Sequence, residues 1–221
     1  MKAVVTADDF GLNKNVNQAI QAILKQKKIN YISLIVNLPY SQQAAKKYLI
    51  CRLCPVGLHF NLTEGKPVSK PELIPSLINK NKQFYPLPEF LLKLILKKIN
   101  LTEMEQELES QIKAMKFLGL TVSHLNSHQN IHLLSPINRI LNTTAKKYQI
   151  RLIRQPKSVL IRLRHFPLRY LILIILIKLT NYIYKDSRIY GSRDFEETLI
   201  HPGTSYDRNL FDLILKKQIL G

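Results

Sequence analysis

Ala3-Val4-Val5-Thr6-Ala7-Asp8-Asp9-Phe10-Gly11 runs from an apolar, β-prone segment into two adjacent carboxylates and a glycine that turns the chain. A short buried strand that ends in acids is the pattern of α/β enzymes, which collect their chemistry at strand C-termini. Leu12, Val16, Ala19, Ile20, Ile23 and Leu24 then recur at helical spacing up to the stop at Lys27-Lys28, so the stretch reads as a first β-α unit.

The same alternation continues. Residues 31–37 are a second β-branched run, Ser41 to Tyr48 a short polar helix, and Val56 to His59 a third strand that delivers His59 to its C-terminal end. Residues 64–88 carry five prolines and no period, the mark of a long excursion over the sheet's active end, where substrate loops are found. Thr102 with Glu105 fits a capping box ahead of a stripe of Met104, Leu108, Ile112, Met115 and Leu118 that stops at Gly119. Val122 to Asn126 reads as a strand, Pro136 to Lys147 as a helix and Ile150 to Arg154 as a strand. Beyond Pro156 the pattern is irregular until Thr198-Leu199-Ile200-His201-Pro202-Gly203, again a short apolar run closed by a histidine and a turn. The expectation is an α/β fold, a barrel-like or doubly wound sheet, formed by one domain over residues 1–221.

Composition narrows the functional classes. A hydrophobic fraction of 46% and a charged fraction of 22%, with no linker or low-complexity tract, argue against disorder. No secretory h-region follows Met1, so a cytoplasmic address is expected. Tyr170 to Ile177 is the longest apolar run, closed in by Arg169 and Lys178; it is far short of the roughly 18–20 residues a bilayer requires and reads as a buried helix or strand. Cys51 and Cys54 form a lone Cys-x-x-Cys without a second pair, which favours two reduced cysteines over a zinc site shared with His59. The net charge of +18 favours anionic surfaces. Its basic residues are scattered, apart from Arg151, Arg154 and the group Arg162, Arg164, His165 and Arg169, and form no arginine stripe with interleaved aromatics. No nucleic-acid partner is expected, and peripheral contact with a membrane is.

Three strand ends carry metal-ligand chemistry: Asp8-Asp9, His59, and the segment His124-Leu125-Asn126-Ser127-His128-Gln129-Asn130-Ile131-His132. One carboxylate and two imidazoles around a divalent ion leave positions open for water, whose pKa falls toward neutrality, and hydrolysis is the natural use. Successive strand side chains alternate, so the second aspartate can serve as general base only if the chain bends at the strand end. The plainer reading makes Asp8 or Asp9 the cap of the helix starting near Asn13. His124, His128 and His132, spaced by four, would line one face of a helix but diverge in a strand-to-loop segment.

Thr6-Ala7-Asp8-Asp9-Phe10-Gly11, Gly57-Leu58-His59-Phe60-Asn61-Leu62-Thr63 and His124 to His132, in this order and at these separations, resemble the YdjC-like carbohydrate deacetylases, a family that includes chitooligosaccharide and hopanoid-biosynthesis-associated deacetylases. The resemblance covers about residues 1–156 and resumes at Ile200-His201-Pro202-Gly203. It implies a distorted (β/α) barrel of the glycoside hydrolase/deacetylase type and hydrolytic removal of acetyl from an N-acetylated sugar. It also implies metal ligation by Asp9, His59 and His128, with magnesium the family's usual ion and zinc compatible with the same donors. Asp8 then matches the catalytic base. His201 is the candidate general acid for the leaving amine, and His124, His132 and Asn126 would orient the ligands or line the sugar pocket. Two positions depart from the family pattern: Asn126 stands where an aspartate is common and Asn130 where a further histidine is. Asn126 keeps a carbonyl oxygen for a ligand imidazole but loses the charge that raises ligand basicity.

Two other classes compete. A basic protein that binds an anionic polymer or membrane through residues 160–184 needs no ordered Asp/His set. A phosphoesterase on the same scaffold would suit the positive charge but not the motifs.

Overall fold

The computed structural model describes residues 5–27, 29–154 and 168–185. Strand β1 (Thr6–Phe10) starts where the apolar run ends, so both aspartates lie inside the strand rather than after it. β2 (Tyr31–Leu34), β3 (Val56–Phe60), β4 (His124–Ser127) and β5 (Leu152–Ile153) follow, each parallel to its predecessor, in the order β1-β2-β3-β4-β5. Parallel strands need helical crossovers. Among the described residues these are α1 (Lys14–Lys25), α2 (Ser41–Cys51), the pair α3 (Leu87–Ile95) and α4 (Leu101–Phe117), and α5 (Ser135–Lys147). One face of the sheet is apolar, with Ile32, Leu34, Leu58, Phe60 and Leu125 in one continuous core, while the opposite face carries buried Ser33, His59, His124 and Asn126.

The helix starts show how local sequence fixes the frame. Asn13 caps α1 by accepting from the Val16 N–H at 2.9 Å, which leaves Asp8 and Asp9 free of that duty. α4 begins one residue before Thr102: Asn100 is its cap, accepting from the Thr102 N–H at 2.9 Å, so the expected Thr102–Glu105 box does not form. The loop replaces it, with Ser76 N–H donating to Glu103 at 2.7 Å and the Asn100 N–H donating to Ser76 Oγ at 2.9 Å. The stripe itself is in place, with Met104, Leu108, Ile112 and Met115 buried and Leu118 packed partly against the core. The proline-rich excursion holds two short 3₁₀ turns and drives Ile74, Leu77 and Phe84 into that core.

α6 (Leu168–Ile183) makes the expected apolar segment Tyr170 to Ile177 helical, but the segment is not buried: Ile172 and Ile175 are exposed and Leu176 and Ile177 only partly covered. Leu176, Ile177, Thr180 and Tyr184 face α3 and α5, and the Tyr184 hydroxyl donates to Leu94 O at 2.8 Å. Ile172, Ile175, Leu179 and Tyr182 are exposed. No helix among the described residues is long and apolar enough to cross a membrane. Both cysteines are free thiols, Cys51 exposed and Cys54 buried, and burial raises the Cys54 thiol to about 11.

Candidate metal and catalytic centre

The bend that the paired aspartates require is present. Between Ala7 and Phe10 the β1–β2 register slips: three steps on β1 match two on β2, and Asp9 takes φ +63°, the left-handed region. A bulge of this kind re-aims a side chain that alternation would send to the other face. Gly11 follows at φ +96°, where a Cβ would stand 2.6 Å from Ile35 O, so the turn admits only glycine. The Gly11 N–H donates to Asn17 Oδ1 at 2.7 Å and ties the turn to α1.

Asp9 Oδ1 lies 3.1 Å from His59 Nε2 and 2.8 Å from His128 Nδ1. One ligand atom from each of Asp9, His59 and His128 falls within 4.8 Å of the other two, and all three residues are buried. Separations of that size suit one cation with bonds of about 2 Å. Each ring is also held from outside. His59 Nδ1 donates to Asn126 Oδ1 at 2.7 Å, and His128 Nε2 sits 3.2 Å from Glu64 Oε2. The carbonyl contact anticipated for Asn126 is therefore formed, and His59 Nε2 faces Asp9.

Asp8 is next to the cluster. Its Oδ1 accepts from Asn126 Nδ2 at 2.9 Å, and its Oδ2 pairs with Arg154 at 2.6 Å. Burial alone would favour the protonated acid, but the Arg154 and His59 charges and the Arg154 hydrogen bond outweigh it and hold Asp8 down at about 2. Asp9 also lies well below the usual carboxylate range, because hydrogen bonds from His128 and His59 overcome its burial. Burial opposes charge on His128, yet its bonds to Asp9 and Glu64 raise it to about 9, so a proton held on the ring offsets part of the negative charge of these two carboxylates.

His124, Asn126 and His132 offer no open surface to a sugar, at 4%, 0% and 0% exposure. The two-residue strand period stacks His124 one layer beneath Asn126 on β4, facing Gly57 two residues before His59. A Cβ at Gly57 would stand 2.4 Å from the His124 ring. His124 Nε2 meets Ser33 Oγ at 3.0 Å, and Ser33 Oγ accepts from Asn126 Nδ2 at 2.8 Å, so the three form a support under the ligands. His132 Nδ1 meets Ser127 Oγ at 2.7 Å. Burial lowers both His124 and His132 to about 3, and both are neutral. His201 lies outside the described residues. Arg154 and Glu64 escaped the sequence reading. Arg154 was hidden in a basic group, although its place directly after a strand was the available signal; Glu64 lies in the excursion, three residues after the strand-end Asn61.

Residues 2–211 match the family model for YdjC-like proteins. The chain belongs to the YdjC-like family. This YdjC-like chain is similar to a carbohydrate deacetylase of Halalkalibacterium halodurans, 34% identical over 152 residues that cover 68% of this chain and 62% of that protein. It is also similar to the carbohydrate deacetylase of Danio rerio, 32% identical over 71% of this chain and 50% of that one. The chain thus spans between half and two thirds of the length of these relatives. Among solved structures it resembles an Enterococcus faecalis protein assigned to cellobiose-phosphate cleavage, with a TM-score of 0.63, 28% identity, and coverage of 72% of this chain and 60% of that one. The likeness carries the parallel α/β fold, and the Asp/His/His cluster gives this YdjC-like chain a site able to hold a divalent ion.

Proposed function

We propose that the chain is a metal-dependent hydrolase that releases acetate from an N-acetylated sugar, free or lipid-linked, and that its sheet is the wall of a distorted (β/α) barrel spanning residues 1–221. The observation that carries the reading is the ionised Asp8 held beside the buried Asp9, His59 and His128 donors. A divalent cation on these donors, magnesium by family habit or zinc by ligand type, would supply Lewis acidity toward an amide carbonyl and water.

The chain's own residues supply the rest. Asp8 accepts the proton of the attacking water, and Arg154 and Asn126 hold its two oxygens so that the carboxylate is charged and aimed before substrate arrives. Asn126 keeps His59 in one tautomer. His201 delivers a proton to the leaving amine. The test is acetate release from N-acetylglucosamine oligomers and glycolipids with added Mg²⁺, Zn²⁺ or chelator; release that depends on metal supports the reading. Release of phosphate from sugar phosphates without acetate would move the chain to a phosphoesterase.

A second property rests on α6. Ile172, Ile175, Leu179 and Tyr182 recur at helical spacing on the side away from α3 and α5, with exposed Lys178 and Lys185 along one flank. An apolar stripe edged by lysines suits the surface of an anionic bilayer, where a substrate carried on lipid would be met. Sedimentation with phosphatidylglycerol vesicles at low salt tests it, with Ile175→Glu expected to release the protein and neutral vesicles expected not to bind it.

A further inference from the structure

We infer that Glu64 is a positioning residue that fixes the His128 ring toward the cation-binding cluster, and that the turn at residues 61–66 is built to hold it there. The inference rests on the metal centre proposed above. Both nitrogens of His128 are engaged, Nδ1 by Asp9 at 2.8 Å and Nε2 by Glu64 at 3.2 Å, so a flip of the ring would forfeit both contacts. An N–H donated outward to a carboxylate selects which nitrogen keeps its lone pair for a metal.

The backbone around Glu64 is pinned to an extent that a surface turn does not need. Its N–H donates to Asn61 Oδ1 at 3.1 Å, and its carbonyl accepts from Asn61 Nδ2 at 2.8 Å and from Asn37 Nδ2 at 3.0 Å. Asn37 Nδ2 also donates to Lys66 O at 2.9 Å, and Gly65 turns at φ +76° with a Cβ position only 2.5 Å from Leu38 Cδ2. Asn61 is itself gripped at both backbone atoms by Gln111 of α4: its N–H donates to Oε1 at 3.2 Å and its carbonyl accepts from Nε2 at 2.7 Å. Gln111 Nε2 in turn donates to Glu107 Oε1 at 2.8 Å. Asn61, Gln111 and Glu107 are all fully buried, and buried polar chains are retained only when satisfied throughout. This one runs from α4 to a half-exposed carboxylate, and that carboxylate ends on the imidazole of a candidate ligand.

The arrangement also answers the departure at position 126. His59 Nδ1 is hydrogen-bonded by a neutral amide, with the Asp8 carboxylate 3.8 Å away, whereas His128 Nε2 meets the Glu64 carboxylate directly.

The test is calorimetric titration of the metal-stripped full chain with Zn²⁺ and Co²⁺, comparing the parent with Glu64→Ala and Glu64→Gln, together with the visible absorption of the Co²⁺ form. Loss of such an outer partner costs about 10- to 100-fold in affinity, and the half-exposed side chain places Glu64→Ala near the lower figure, about 10-fold. Glu64→Gln keeps an oxygen acceptor for the Nε2 proton; it should stay within about threefold of the parent and keep the parent Co²⁺ spectrum. If Glu64→Ala binds as tightly as the parent, Glu64 does not position His128. If Glu64→Gln falls as far as Glu64→Ala, the effect is one of charge, and the positional account is overturned. If the parent itself binds neither ion, the metal centre fails and this inference with it.

Discussion

Arg154→Met removes the only guanidinium bonded to Asp8 among the described residues, and the consequence can be worked from the geometry. The pair is 2.6 Å apart, and the side chains are 5% and 8% exposed, so water cannot replace the lost partner. Breaking a buried ion pair from one side costs about 3–5 kcal/mol because a charge is left uncompensated. For a chain of this size each kcal/mol moves the melting temperature by about 2–4 °C, so a fall of roughly 6–20 °C follows at neutral pH. Asp8 can escape part of that cost by taking up a proton, since burial then pushes its pKa upward unopposed by Arg154. Stability and activity should therefore part: as pH falls from 8 to 5 the variant's deficit in melting temperature narrows, while acetate release collapses because the base is protonated. Thermal unfolding by circular dichroism across that pH range, paired with acetate release, reads both. A variant that melts within about 1 °C of the parent and releases acetate at the parent rate would refute the pairing of Arg154 with a working base.

Further outcomes follow from the same site. Asp8→Asn should lower acetate release by about 10²–10⁴-fold while calorimetry still finds the metal bound, and His128→Ala should abolish metal binding. Asp8 is held at about 2 in the folded chain against 3.8 for the free acid, so its contribution, on the order of 2 kcal/mol, is present above pH 4 and lost as pH falls toward 2; urea midpoints against pH should show that loss, and Arg154→Met should not. His128 has the opposite sign: in metal-stripped protein its stabilisation is complete below pH 6.5 and disappears as pH rises through about 9, which Asp9→Asn should flatten. Gly57→Ala pushes a methyl into the His124 ring and should cost about 1–3 kcal/mol, measured by urea denaturation.

The alternation of strands and helices was legible because β-prone runs alternate with segments of helical period, most of them carrying an apolar stripe; the α4 stripe of Met104, Leu108, Ile112 and Met115 is the clearest case and the polar α2 the weakest. The four residues at the centre were legible for a different reason, their place at strand ends. What pattern alone could not give was how two adjacent carboxylates share one site. That depends on a register slip and a left-handed Asp9, a backbone state no propensity assigns to aspartate. Arg154 and Glu64 were missed because their roles arise from partners 146 and 64 residues away in the chain. The expected Thr102–Glu105 box gives way because Asn100, itself a good capping residue, lies two positions earlier and accepts from the Thr102 N–H. His124 and His132 looked like site groups by their spacing, but the strand period and the space left by Gly57 place His124 beneath the ligands, and His132 is enclosed as well.

The most direct measurement is anomalous diffraction from crystals of the chain soaked in Mn²⁺ or Zn²⁺. The account predicts one strong peak about 2.0–2.2 Å from an Asp9 carboxylate oxygen, His59 Nε2 and His128 Nδ1, with Asp8 close by and not bonded to it. Full soaking with no peak among these three residues, or a peak held by Cys51 and Cys54 instead, would contradict it.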